Sequence, residues 1–193
     1  MDDINEVSQL VVWERQTRVR GLDKENLSTY KNDGTITTSW MSGLVKDFVG
    51  QRPVDYRESL PLVSRVGTPV IHLKRNRAYV ELPAMTDHWQ MVNGTEAVLT
   101  SYMRLIYLVE KIEGTWKIAD MTAINESDKL EPAIPGEDLK INFDQVRNFR
   151  RSYRWLAYTR ILAGGQIDQD GIGTDRPETV QPIYQRAEEW INQ

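Results

Sequence analysis

The residues in this chain best suited to chemistry are a carboxylate and a phenol, Asp120 and Tyr107, carried on the two arms of one strand pair. Glu96 to Ile112 and Thr115 to Ile124 are long runs of strand-forming residues separated by Glu113-Gly114, a two-residue turn suited to a hairpin. That turn sets Ile112 opposite Thr115, Glu110 opposite Lys117, Leu108 opposite Ala119 and Ile106 opposite Met121. The same register collects Met103, Leu105, Tyr107, Val109, Trp116, Ile118, Asp120, Thr122 and Ile124 on one face, where Asp120 is the sole carboxylate. A carboxylate among apolar neighbours is costly unless partnered. Asp120 therefore reads in two ways. It is a general base or anchor for a polar group of an apolar ligand, with Tyr107 beside it, or a buried carboxylate satisfied by Tyr107, Arg18 or Arg20.

Other candidates carry their own alternatives. His88 beside Asp87 has the composition of an acid–base pair, but adjacent strand residues point to opposite faces. His72 lies between Ile71 and Leu73, and Glu81 between Val80 and Leu82; each faces either the cavity or a polar neighbour. Trp13, Trp40, Trp89 and Trp116 are cavity walls or ordinary core. Of these, Trp13, Trp40 and Trp116, with Glu81 and His88, are the expected substrate-binding set. Arg147, Arg150, Arg151 and Arg154 form one basic stripe on a late helix, suited to an anion or to a solvated edge. With no Cys, two His, and no phosphate loop, nucleophile elbow, metal spacing or dinucleotide fingerprint, no metal and no cofactor are expected.

The elements that must position these groups fit one domain: 193 residues, 40% hydrophobic and 27% charged. A net charge of −4 gives no general attraction to nucleic acid or anionic membranes. The acidic N-terminus lacks a signal-peptide pattern, and no apolar run approaches the roughly 18 residues of a membrane span. A cytoplasmic location is expected.

Ile4 to Arg20 has helical spacing and stops at Gly21. Asp23 is an N-cap for a second helix carrying Leu27 and Tyr30 on its apolar side, broken by Asn32-Asp33-Gly34. A strand follows over Thr35 to Trp40, and a short helix over Leu44 to Val49. Arg52 to Thr68 reads as a mostly irregular connection with one helical turn. Val70 to Leu73, Ala78 to Ala84 and Met85 to Val92 read as extended segments, the last two split by a bend near Pro83. After the hairpin, Asn125 to Asn142 reads as a loop. Phe143 to Ala163 reads as one helix, and Thr179 to Ile191 as another. The second hairpin face, with Ile106, Leu108, Ala119 and Met121, is also apolar and needs cover. A homodimer through the sheet is the expected cover.

The order of these elements, with the segments Ala78-Tyr79-Val80-Glu81-Leu82, Tyr102-Met103-Arg104-Leu105 and Gly114-Thr115-Trp116-Lys117-Ile118-Ala119, resembles the SnoaL-like members of the nuclear transport factor 2 superfamily. The resemblance spans roughly Ile4 to Leu130. It implies an α+β domain over residues 1–130, a cone-shaped curved antiparallel sheet with N-terminal helices closing an apolar pocket. Residues 131–193 form a C-terminal helical extension packed on it. It also implies a small apolar ligand and cofactor-free isomerase, cyclase, dehydratase or hydrolase chemistry using a pocket Asp. The alternative is a non-catalytic dimeric ligand-binding or accessory subunit. Many relatives place an acid near the end of the first helix, where this chain has Arg18, Val19 and Arg20. The usual His would fall near Val63-Ser64-Arg65, where this chain has none.

Overall fold

The computed structural model describes residues 2–50 and 61–193. Helix α1 (Asp3–Arg20) begins where the Asp2 carboxylate accepts the Asn5 N–H at 2.9 Å, and ends on Gly21, whose φ of 67° closes the last turn. It turns Val7, Val11 and Glu14 inward. Helix α2 (Asp23–Thr29) has Leu22 at its cap. Tyr30, expected on that helix, starts β1 (Tyr30–Thr37) instead. The expected break at Asn32-Asp33-Gly34 is absorbed inside β1, where the register against its neighbour shifts between Tyr30 and Thr35.

Short β2 (Ser42–Leu44) and α3 (Val45–Phe48) follow. Then come β3 (Leu62–Val66), β4 (Val70–Lys74), β5 (Arg77–Val92), β6 (Thr95–Ile112) and β7 (Thr115–Pro132). The connection expected to be irregular, with one helical turn, thus contains β3; residues 51–60 lie outside the described residues. Strand β5 runs unbroken through Pro83. The proline is tolerated because β5 changes edge partner there: β4 pairs with Arg77 to Glu81, β3 with Ala84 to His88, and the Pro83 carbonyl accepts the Gly67 N–H at 2.8 Å in the gap.

The sheet order is β2-β1-β7-β6-β5-β3, with β4 also on β5. The pairings are antiparallel except β1 with β7, so the sheet is mixed rather than wholly antiparallel. Glu113 and Gly114 at φ 49° and 80°, and Asn93 and Gly94 at φ 50° and 88°, make the two tight turns that flank β6. The expected register holds from Ile112↔Thr115 to Val109↔Ile118, and then slips: Leu108 pairs with Asp120 and Tyr107 with Met121. Ala119 is the extra residue on β7. A second slip adds Glu126, between Met103↔Asn125 and Tyr102↔Ser127. Bulges of this kind bend a strand and raise its twist.

The inner face of the sheet, towards α1, packs Ala78, Val80, Leu82, Leu105, Tyr107, Val109, Trp116 and Ile118 against Val7 and Val11. Farther along the same face, Val92, Ala97 and Leu130 meet α4 (Phe143–Arg147) and α5 (Arg154–Leu162) through Val146, Trp155 and Tyr158. The expected single late helix is interrupted: Arg150 is extended, and a 3-10 turn spans Arg151–Tyr153. On the outer face, Tyr79, Ile106, Leu108 and Ile124 pack on α6 (Pro177–Asn192) through Ile183, Ala187 and Trp190. The face assigned to a second subunit is thus covered by the chain's own last helix, which removes the argument for a dimer through it. Among the described residues, no helix is long and apolar enough to cross a membrane.

Candidate functional site

Glu14 lies deep between α1 and the sheet, 0% exposed. Its carboxylate accepts hydrogen bonds from the Tyr107 hydroxyl at 2.8 Å, the Tyr30 hydroxyl at 3.2 Å and Arg18 Nε at 2.9 Å. Asn26 Nδ2 donates to the Glu14 carbonyl at 2.8 Å. Burial works to raise the Glu14 carboxyl, but the charges of Arg18 and Arg15, with the bonds from Arg18 and Tyr107, outweigh it and hold it below the usual range. Burial and the Glu14 charge push both phenols well above their ordinary value. This is a closed ion pair with two protonated tyrosines, built to hold α1 on the sheet.

Three rows along β6 from Tyr107, the inner face becomes polar. Pairing aligns Ser64 on β3, Thr86 on β5, Ser101 on β6 and Asp128 on β7 in one row across four strands. Neighbouring strands are about 4.8 Å apart, so the row is about 14 Å long. Thr86, Ser101 and Asp128 are half-buried, as are Met103 in the row on one side and His88 in the row on the other. Arg15, 7% exposed, reaches this row from α1: Nη2 donates to Ser64 Oγ at 3.2 Å and to Thr86 Oγ1 at 3.3 Å. Among the described residues, no carboxylate forms an ion pair with it, and its Nε is buried without a partner.

Asp128 closes the other end. One carboxylate oxygen accepts the Leu156 N–H of α5 at 2.7 Å, while Oδ1 is buried without a partner. Burial pushes this carboxyl up to about 6, against the pull of the α5 backbone N–H groups. Gln90 Nε2, two rows from Asp128 on the same face, is a third buried polar atom without a partner. Burial alone lowers the His88 imidazole.

The residues expected from sequence scatter around this centre. The Ala119 bulge turns Asp120 to the outer face, away from Tyr107, so the two do not meet. Asp120 instead bonds the Thr35 hydroxyl, the Thr122 hydroxyl at 2.9 Å and Arg186 of α6 at 3.2 Å. Glu81 also faces α6, where it accepts from the Tyr184 hydroxyl at 2.8 Å and contacts His72 at 3.2 Å. His88 is on the inner face and Asp87 on the other, bonded by Thr100 at 2.6 Å, so they form no pair. Trp116 is buried with Nε1 on Asp3 at 3.0 Å; with the exposed Trp13 it borders a cleft of about 580 Å³ at the hairpin tip. Trp40 lines a separate cleft of about 550 Å³ with residues 166–168, and Arg160 stacks on its ring at 4.9 Å. Arg150 leaves the expected basic stripe for Asp175 at 2.6 Å.

Sequence reasoning missed Glu14, Arg15 and Asp128. Glu14 sits at helical spacing from Val7 and Val11, a signal that it shares their buried face. It lies one turn before Arg18 on the same helix. Asp128 was hidden because the second bulge, at Glu126, returns it to the inner face in a stretch read as loop.

No protein-family model matches the chain. Over 178 residues it is 24% identical to pea pathogenicity protein 2 of Fusarium vanettenii, covering 86% of this chain and 76% of that protein. It is 26% identical over 181 residues to an uncharacterised protein of Emericella nidulans, with the same coverage of 86% and 76%. Among solved structures it is similar to a candidate scytalone dehydratase of Novosphingobium aromaticivorans, with TM-score 0.55, 13% identity, and 70% of this chain and 95% of that one covered. It is also similar to the Kfla4162 protein of Kribbella flavida, with TM-score 0.51, 9% identity, and 63% and 91% covered. The chain shares the α+β fold of these two solved structures, with N-terminal helices over a curved sheet, as the resemblance implied.

Proposed function

We propose that this protein binds a small, largely apolar molecule on the half-buried inner face between α1 and α5, and that Asp128 transfers a proton there without a cofactor. Isomerase, dehydratase, cyclase and hydrolase chemistry all need such a group in an otherwise apolar site. The observation that carries the reading is the polar row itself, a cation at one end and a carboxylate at the other, each with a buried atom lacking a partner. Buried polar atoms are almost always satisfied, so a pair of orphans in one row is a place for a ligand's polar groups. A carboxyl at about 6 is matched to proton transfer near neutral pH. The fold shared with a candidate scytalone dehydratase is consistent with this reading.

A second reading has its own support: the other Asp128 oxygen caps α5, as a structural residue's would. In that case the protein binds without catalysis. Thermal unfolding against enones, lactones, epoxides, sterols and aromatic acids tests both. A ligand at about 100 times its dissociation constant adds roughly 2.7 kcal/mol. Ser101→Phe, which fills the row, is expected to abolish the shift; a shift that survives it places binding elsewhere. Asp128→Asn is expected to retain binding and lose turnover of whichever compound is consumed. Binding without turnover in wild type selects the second reading.

A further inference from the structure

Among the described residues, the charge inside the cone does not balance. Arg18 is neutralised by Glu14, and both tyrosines bond the same carboxylate. Arg15, the next residue after Glu14, is left as a buried cation whose only acceptors among the described residues are two neutral hydroxyls, those of Ser64 and Thr86. Arg15 shares the Glu14 charge with Arg18, so among the described residues two guanidiniums stand against one nearby carboxylate, and a buried charge left uncompensated is costly. Asp87 points to the opposite face, and Asp128 is two strand spacings from Thr86, about 10 Å. The guanidinium keeps a free Nε–H on a planar fork that matches a carboxylate.

We infer that the ligand of this site is an acid: a small, largely apolar molecule whose carboxylate seats on the Arg15 guanidinium, taking the Nε–H and sharing Nη2 with Ser64 and Thr86. The inference rests on the inner face being the binding site and goes beyond it by fixing the ligand's charge. Its body would extend along the row from Thr86 past Ser101 towards Asp128, beside Met103. A neutral carbonyl would use the same donor and leave the charge uncompensated, so the acid is the preferred form.

The test is a set of matched pairs: benzoate, cinnamate, 4-hydroxybenzoate and indole-3-acetate against their methyl esters, titrated calorimetrically into the full chain. At least one acid is expected to bind tenfold or more tightly than its ester. Arg15→Gln should weaken it tenfold or more, with Arg15→Lys intermediate. On wild type, the Arg15 Nε–H resonance should shift with the acid and not with the ester, which keeps the test valid if the variants fail to fold. Esters that bind as tightly as acids, and are blocked by Ser101→Phe, overturn the acid while leaving the site intact. Acids whose binding ignores Arg15→Gln also overturn it, and no binding by either class overturns both readings.

Discussion

The Tyr107 hydroxyl donates to the Glu14 carboxylate at 2.8 Å, joining the middle of β6 to the fourth turn of α1 across the centre of the cone. Because Glu14 also holds Arg18, the two ends of this contact are unequal. Tyr107→Phe removes one of several donors and should cost about 1–3 kcal/mol. Glu14→Ala strands Arg18 and Arg15 together and should cost about 3–5 kcal/mol. Urea unfolding of the two variants checks the order; equal costs would mean that the carboxylate is not the hub of the network.

Asp120 should behave as a structural residue. Its bond to Thr35 ties β1 to β7 and its bond to Thr122 lies within β7, whereas Arg186 is more than half exposed on its side chain. Asp120→Ala is therefore expected to cost about 2–3 kcal/mol and Arg186→Ala less than about 1 kcal/mol. Ligand affinity measured on both variants should stay within about twofold of wild type, a difference under roughly 0.4 kcal/mol.

Ala119 explains why Asp120 was misplaced by sequence reasoning. The hairpin turn, the Glu110↔Lys117 rung and the apolar alternation were all legible, because turn type and period are local properties. A bulge is a one-residue event with no signature here beyond a small side chain, and it exchanges the faces of every later residue. The same limit hid Asp128 behind the second bulge. Glu14 and Arg15 were legible in principle, since helical spacing from Val7 and Val11 points them inward, yet charged residues are ordinarily assigned to solvent. The mixed sheet was hidden for another reason: whether β1 lies parallel to β7 depends on the path between them, which no local pattern records.

Deleting Ala119 should leave Ile118 inward, Asp120 outward and Met121 inward, because the residue lost is the unpaired one and every later rung keeps its partner. A cooperative thermal transition is the expected result. Its loss would show that the bend supplied by the bulge, rather than the facing of the side chains, is what the fold requires.

Asp128 makes a pH prediction. Its carboxyl titrates at about 6 in the folded protein against 3.8 for the free group, so between these values the folded state binds more protons than the unfolded one. Stability from this group is full below the lower value and falls as pH rises towards 6. Asp128→Asn keeps an acceptor for the Leu156 N–H and removes the titration. Relative to wild type it should gain on the order of 1 kcal/mol between pH 4 and pH 7, discounted for the half-exposed site. A difference independent of pH would remove the argument for proton transfer by this residue.

Asp175 makes the opposite one. Burial works to raise it, but the bonds from Arg150 and Ser152 and the Arg150 charge bring the carboxyl down to about 2. Its folded value lies below the unfolded 3.8, so its stabilisation is complete above that value and is lost as pH falls towards 2. The stake is the placement of α5. Arg150 leaves the helical path to reach Asp175 and the Gly171 carbonyl, and that departure separates α4 from α5. Wild type should lose on the order of 1 kcal/mol between pH 4 and pH 2, discounted for the exposure of Asp175, that Asp175→Asn has already lost at neutral pH. Arg150→Met should loosen α5 at every pH, seen as faster amide exchange from Trp155 to Tyr158. Unchanged exchange there would mean that the Asp128 cap, rather than the Arg150–Asp175 pair, holds α5 over the inner face.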